Sequence, residues 1–342
     1  MRTATELLKE TNLKDFDYTA LRKKIKGPAF AIITPFCDDG KEVDWLALKQ
    51  YVEFLYLGGA KVFYVMGYNS RFSLLSDEEI MKLNETVTRK VKSYNDEECV
   101  VIIADPLHCS TETSIKFAKH GEEIGADVIS LIFREKVYFE EQVYNHFKKV
   151  SENTRLGILI HEMPLNNGIP GQPSLIKWPL SLLDDIADLE NVVAIKEDTK
   201  NDEYTQEVIN ALKGRLSIIT SGGGMNQWLS FAPNCHGWLS GSGGFNPKIE
   251  IDFFNSYLSN DMHKCEEIIN TVETPFFEIS NKFGWHLGIK SAMDIMGVMS
   301  RVERMPLQQL SEIKHSEIVE IMKKISKKTP YFEALGGKDD NN

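Results

Sequence analysis

The sequence predicts an α/β protein: a (β/α)8 TIM barrel with a C-terminal helical appendage. Three observations predict it. From Pro28 onward, eight short apolar runs alternate with amphipathic helical stretches. The runs are continuously apolar, as strands covered on both faces of a parallel sheet are. The Gly-x-Gly-x-x-Gly turn that would follow the first strand of an open doubly wound sheet is absent.

The strands are expected at 29–35, 61–67, 99–105, 127–133, 156–163, 192–197, 216–221 and 237–242. Helices should begin near Asp44, Ser76, Ser110, Glu140, Ser174, Asp202, Gly224 and Asn246. Ser76 and Glu79 have the spacing of a capping box, and Ser110-Thr111-Glu112-Thr113 opens another first turn. Beyond residue 257 the pattern is wholly helical, with segments expected at 261–271, 275–283, 286–298 and 306–326. The organisation read from this is an N-terminal helical extension (1–26, carrying Glu6 and Asp15), a barrel (27–256), a C-terminal helical region (257–330) and a disordered tail (331–342).

Composition narrows the function. The chain has 342 residues, 42% of them hydrophobic, enough for a large core. Its net charge of −11 argues against nucleic acid, since phosphate contacts need a clustered basic surface. No apolar stretch has the length of a membrane span, and 1–26 lacks the apolar centre of a signal peptide. The five cysteines (Cys37, Cys99, Cys109, Cys235, Cys265) form no C-x-x-C pair, which fits a reducing, cytoplasmic setting. The eight histidines show no metal-ligand spacing, so no metal site is expected.

One residue points to chemistry. Lys196 closes the apolar run Val192-Val193-Ala194-Ile195. An amine carried to the end of a buried strand loses water, its pKa falls, and a neutral nucleophile becomes available near pH 7. That is the state in which an amine condenses with a ketone. The bland alternative is a strand-end lysine that reaches out to solvent. Glu197 and Asp198 follow it, and only one of them can share its face.

The strand-end motifs, in order, resemble the dihydrodipicolinate synthase and N-acetylneuraminate lyase family of class I pyruvate aldolases. The likeness runs from about Gly27 to Pro306. It rests on Gly27-Pro28 through Thr34-Pro35-Phe36, Asp39-Gly40, Val43-Asp44, Leu75-Ser76-x-x-Glu79, Gly125-Ala126-Asp127 and Ala194-Ile195-Lys196-Glu197. Ser221-Gly222, Gly237, Asn246-Pro247 and Arg304-Met305-Pro306-Leu307 complete the order. The resemblance implies that Lys196 forms the Schiff base with a 2-oxo acid, and that the chain is a homotetramer or dimer with no cofactor beyond this lysine.

The departures matter as much. Where the family has Gly-Thr-Thr-Gly-Glu, this chain reads Gly67-Tyr68-Asn69-Ser70-Arg71. Asn69 and Ser70 can still donate hydrogen bonds to a carboxylate, and Arg71 adds a cation. The family's Tyr-Asn-x-Pro is replaced by His161-Glu162-Met163-Pro164, and its later arginine by Asn166. Pro-Tyr-Tyr becomes Ile132-Phe133-Arg134, with Tyr138 a few residues on. Histidine can move protons in place of tyrosine, because its ordinary pKa lies near working pH. We therefore expect His161 and Tyr68 to be catalytic beside Lys196. Asn69, Ser70, Gly222, Asn166 and Gly241 are expected to bind substrate.

Dihydrodipicolinate synthesis itself is not expected, because the residues that grip the second substrate are missing. Aldol cleavage, condensation or dehydration of another 2-oxo acid is. Three other readings compete. One is an inactive keto-acid-binding or regulatory member, and another is a lysine-independent lyase or hydratase using His161 and Glu162. The third is an aldolase acting on a phosphorylated substrate, held by the loops Thr220-Ser221-Gly222-Gly223-Gly224 and Ser240-Gly241-Ser242-Gly243-Gly244. His108, after Asp105-Pro106, and the tryptophans Trp178, Trp228, Trp238 and Trp285 are read as structural.

Overall fold

The computed structural model describes residues 16–107, 109–132, 139–162 and 178–331. Eight parallel strands close into a barrel in chain order. They are β1 (Gly27–Ala31), β2 (Val62–Tyr64), β3 (Val100–Ala104), β4 (Val128–Ile132), β5 (Gly157–Glu162), β6 (Val192–Glu197), β7 (Ser217–Thr220) and β8 (Gly237–Leu239). All eight lie inside or overlap the expected runs. Most ladders stop earlier than the apolar runs do, because the chain then splays into the loops of the mouth.

A short helix α1 (Tyr18–Lys24) precedes the barrel. Between the strands come α2 (Trp45–Leu57), α3 (Asp77–Lys92), α4 (Thr111–Ile124), α5 (Glu140–Ser151), α6 (Leu180–Ala187), α7 (Asp202–Leu212) and α8 (Gly224–Phe231). The capping box at Ser76 is formed, and Ser110 accepts from the Thr113 amide. The helix expected from Ser174 begins at Leu180; Ser174 itself lies outside the described residues, as do His108, Arg134, Tyr138, Asn166 and 332–342.

The strands are apolar throughout, yet their side chains divide by alternation into two cores. Phe30, Phe63, Val101, Ile129 and Ile158 point outward against the helices. Ala29, Val62, Tyr64, Ile102, Val128 and Leu159 fill the barrel interior. Leu21 and Ile25, from α1 and the residue after it, join the interior core and plug the N-terminal end. The polar mouth therefore lies at the other end of the strands, where barrel enzymes carry their sites.

Five further helices follow the last strand: α9 (Pro247–Leu258), α10 (Met262–Ile268), α11 (Thr274–Phe283), α12 (Trp285–Ile295) and α13 (Glu312–Ser326). A π-helical segment, Ile269–Glu273, joins α10 to α11. The helix expected from residue 306 begins only at Glu312. Before it, Glu303 accepts from Arg71, and Arg304 donates to Glu79 and the Leu74 carbonyl. No helix of the described residues is long and apolar enough to cross a membrane.

Candidate active site

Pairing between β5 and β6 aligns His161 with Lys196 and sets both into the barrel interior. Lys196 is fully buried. Its Nζ lies 2.6 Å from Asp198 Oδ2 and 2.9 Å from His161 Nε2. The other imidazole nitrogen, Nδ1, is 3.4 Å from the Tyr64 hydroxyl, which is 2.6 Å from Ser130 Oγ. Ser130, Tyr64, His161 and Lys196 thus form a polar chain through an otherwise apolar interior.

Asp198 shares the face of Lys196, two residues on. Its second oxygen contacts Lys200 Nζ, and that amine donates to the Ser221 carbonyl at 3.1 Å. Glu197 faces the other way, toward the Thr199 amide at 2.7 Å and the hydroxyls of Thr199 and Thr205. The expectation that only one of the two carboxylates shares the lysine's face is met, by Asp198.

Burial holds the Lys196 amine well below its ordinary pKa, with the Glu197 charge opposing in part. Burial and the neighbouring Lys196 charge push Lys200 down to about 7, again opposed by Glu197. The short bond to Asp198 favours an ammonium at Lys196, whereas desolvation favours the free amine. We give desolvation the greater weight, because a single carboxylate shared by two amines cannot neutralise two ammonium ions.

A cleft of about 750 Å³ opens over this group. Asp198, Lys200, Ser221 and Gly222 form one side, and Tyr68, Asn69, Ser240 and Gly241 the next. Phe277, Trp285, His286 and Leu287 close it from the C-terminal helices. Trp285, read from the sequence as structural, therefore faces the cleft, with its ring 4.9 Å from that of Phe277.

The site residues expected from sequence separate into groups. Lys196 and His161 touch. Tyr68, Asn69, Gly222 and Gly241 line the cleft. Ser70 does not face it: its buried hydroxyl donates to the Ile32 carbonyl at 2.6 Å and accepts from the Met66 amide at 3.1 Å. Arg71 is no free cation for a substrate carboxylate, because its guanidinium is buried against Glu303 at 2.6 Å and the His286 carbonyl at 2.9 Å. Tyr64, Ser130 and Lys200 were not anticipated; a polar residue inside an apolar strand run was the signal available for the first two.

Carboxylates of the chain itself bond amides in and beside the glycine-rich loops. Glu250 accepts from the Gly241 and Gly243 amides, both at 2.8 Å, and from the Trp238 indole at 2.8 Å. Glu273, in the π-helical segment, accepts from the Met225 and Asn226 amides at 2.6 and 2.9 Å. Internal carboxylates thus take amides of the second loop and of the helix turn that follows the first. Among the described residues no group of three or more His, Cys, Asp or Glu side chains is placed to hold a metal ion.

Comparison with known proteins agrees with this architecture. The 4-hydroxy-tetrahydrodipicolinate synthase of Acetivibrio thermocellus is 26% identical over 305 residues, 87% of this chain and 97% of that protein. The corresponding synthase of Methanocaldococcus jannaschii is 28% identical over 300 residues, 86% of this chain and 96% of that protein. In structure, dihydrodipicolinate synthase from Aquifex aeolicus superposes with a TM-score of 0.76 at 23% identity, covering 89% of this chain and 99% of its own. The Acinetobacter baumannii enzyme, solved in complex with pyruvate, gives 0.75 at 22%, covering 88% and 99%. The sequence profile of the dihydrodipicolinate synthetase family matches residues 24–325, and the chain belongs to that family.

Proposed function

We propose that this chain is a class I aldolase or lyase whose Lys196 amine forms a Schiff base with a pyruvate-like 2-oxo acid. The observation that carries the reading is the fully buried amine at the end of β6, held below its ordinary pKa beneath the cleft. Membership of a family of class I aldolases and lyases supports it. The free amine attacks C2 of the oxo acid, and His161 Nε2, at 2.9 Å, takes the proton that the nitrogen sheds. Tyr64 and Ser130 hold the imidazole from behind. Asn69, Tyr68, Gly222 and Gly241 border the space the oxo acid would occupy.

The second substrate differs from that of the synthases. The threonine pair, the tyrosine and the arginine of the family pattern are replaced by Tyr68-Asn69, His161 and Asn166. A phosphorylated electrophile is disfavoured because Glu250 fills amides of the second glycine-rich loop and Glu273 those of the α8 turn that follows the first. The proposal includes a self-associating chain, dimer or tetramer, acting in the cytoplasm.

Borohydride trapping across a panel of 2-oxo acids tests the reading. Wild type should gain one reduced adduct on the Lys196 peptide, and Lys196→Met should gain none. Absence of any adduct with every oxo acid would leave a binding protein or a lysine-independent lyase.

A further inference from the structure

We propose that Lys200 is a second catalytic amine, the one that donates the proton removing water from the Lys196 carbinolamine and afterwards accepts the C3 proton of the imine. The inference rests on the Schiff-base reading of Lys196 and assigns a group that this reading leaves unused.

Four independent features converge on Lys200. First, it faces the cleft, while Lys196 lies beneath. Second, the two amines sit on opposite oxygens of one carboxylate, Asp198, so proton occupancy of one sets that of the other. Third, its backbone is left-handed, with φ of 58°, a conformation that side chains other than glycine rarely adopt and that concentrates at functional sites. Fourth, Gly222, with φ of 98°, passes so close that a Cβ there would collide with the end of the Lys200 side chain. The chain bends at one position to deliver this amine and stays bare at another to receive it.

The protons balance. Two amines and one carboxylate in a dry site favour a single proton shared between the amines, and that places a neutral amine beside an ammonium. Lys200 keeps the ammonium, bonded to Asp198 and the Ser221 carbonyl; Lys196 is the nucleophile. Imine formation releases one water. One of its two hydrogens comes from the Lys196 nitrogen through His161, the other from the Lys200 ammonium. Lys200, now neutral, is the base for the C3 proton, and the electron pair of the C3–H bond moves into the iminium to give the enamine. Asp198 and Lys196 are the charged groups beside Lys200, and the Glu197 charge acts on it from the opposite face of the strand; His286 faces the cleft from α12, kept neutral by burial, which pushes it down to about 3.

The test uses the full chain with pyruvate and no electrophile. Deuterium exchange into the pyruvate methyl, followed by NMR, reads C3 proton transfer, and borohydride trapping with peptide mass reads the imine. Lys200→Met should slow exchange at pH 7 by about 100-fold, the scale of general acid–base catalysis. Lys200→Arg keeps the charge but cannot release its proton, so it should still reach the Lys196 adduct on long incubation, form it more slowly than wild type, and lose exchange, which separates proton transfer from electrostatics and guards against misfolding. Wild-type exchange in both variants overturns the proposal. So does a rise in KM alone with an unchanged pH profile, which would make Lys200 only an anchor for the substrate carboxylate. A wild type that gives no Lys196 adduct fails at the earlier step and refutes the Schiff-base reading.

Discussion

His161, which by resemblance takes the place of the family's tyrosine, has two ring nitrogens with different neighbours. Nε2 meets Lys196 at 2.9 Å and Nδ1 meets Tyr64 at 3.4 Å. His161→Gln retains a polar group at this position but cannot carry a proton. Turnover, or pyruvate exchange where no electrophile is known, should fall about 100-fold or more, while the protein stays folded. Activity within a factor of two of wild type would exclude imidazole from the proton path. Lys196 was legible in the sequence, since a lysine closing an apolar run is conspicuous; that one of Glu197 and Asp198 would share its face was legible too, but not which. Tyr64 was not, because Val62-Phe63-Tyr64 reads as a core aromatic stretch and its partner comes from a strand 97 residues away. Lys200 was hidden too. A lone lysine in the polar loop Thr199-Lys200-Asn201 looks solvated, and only the fold brings Ser221 and Gly222 around it.

The elements explain how Lys196 comes to point inward. β5 and β6 pair Ile158 with Val192, then Leu159 with Ala194, so Val193 is an extra residue in the ladder. Val192 faces the helices; by plain alternation Lys196, four residues later, would face them as well. The register shift turns Ala194 and Lys196 into the barrel beside Leu159 and His161. Nothing in Val192-Val193-Ala194-Ile195 marks the odd residue, because all four are apolar. Eight strands could be read from the sequence; this one-residue shift could not. The seam between β8 and β1 carries a comparable constraint. Gly237 pairs with Gly27, and a Cβ on Gly237 would strike the Gly27 carbonyl oxygen, a backbone atom with no rotamer to change. Gly237→Ala should destabilise by about 2–3 kcal/mol, as overpacking does, read as a lower urea midpoint with an unchanged slope. A loss below 0.5 kcal/mol would mean that the seam yields easily.

Across the whole molecule, the mouth is bound to the C-terminal helices by a buried ionic group. Arg71, from the β2 loop, and Lys290, from α12, both meet Glu303, at 2.6 and 3.3 Å. Lys290 also donates to the Thr34 carbonyl at 3.0 Å and the Val302 carbonyl at 2.6 Å. Since Arg71 holds the Asn69 and His286 carbonyls as well, this cluster fixes one wall of the cleft relative to the other. Glu303→Gln would leave two buried cations without a counter-charge, a defect that costs about 3–5 kcal/mol. The loss depends on pH, and its sign follows from Lys290. Burial chiefly, helped by Arg71 and opposed by Glu303, pushes its pKa down to about 7 from an ordinary 10.5. Between those values the folded chain binds fewer protons than the unfolded one, so this lysine's contribution to stability rises with pH. Without the Glu303 charge the Lys290 amine loses its proton more readily, which relieves part of the defect in alkaline solution. Urea unfolding at pH 6 and pH 9.5 should therefore show a larger deficit for Glu303→Gln at pH 6. An equal deficit at both values would mean that Lys290 does not titrate in this range, and that the wall is held by Arg71 alone.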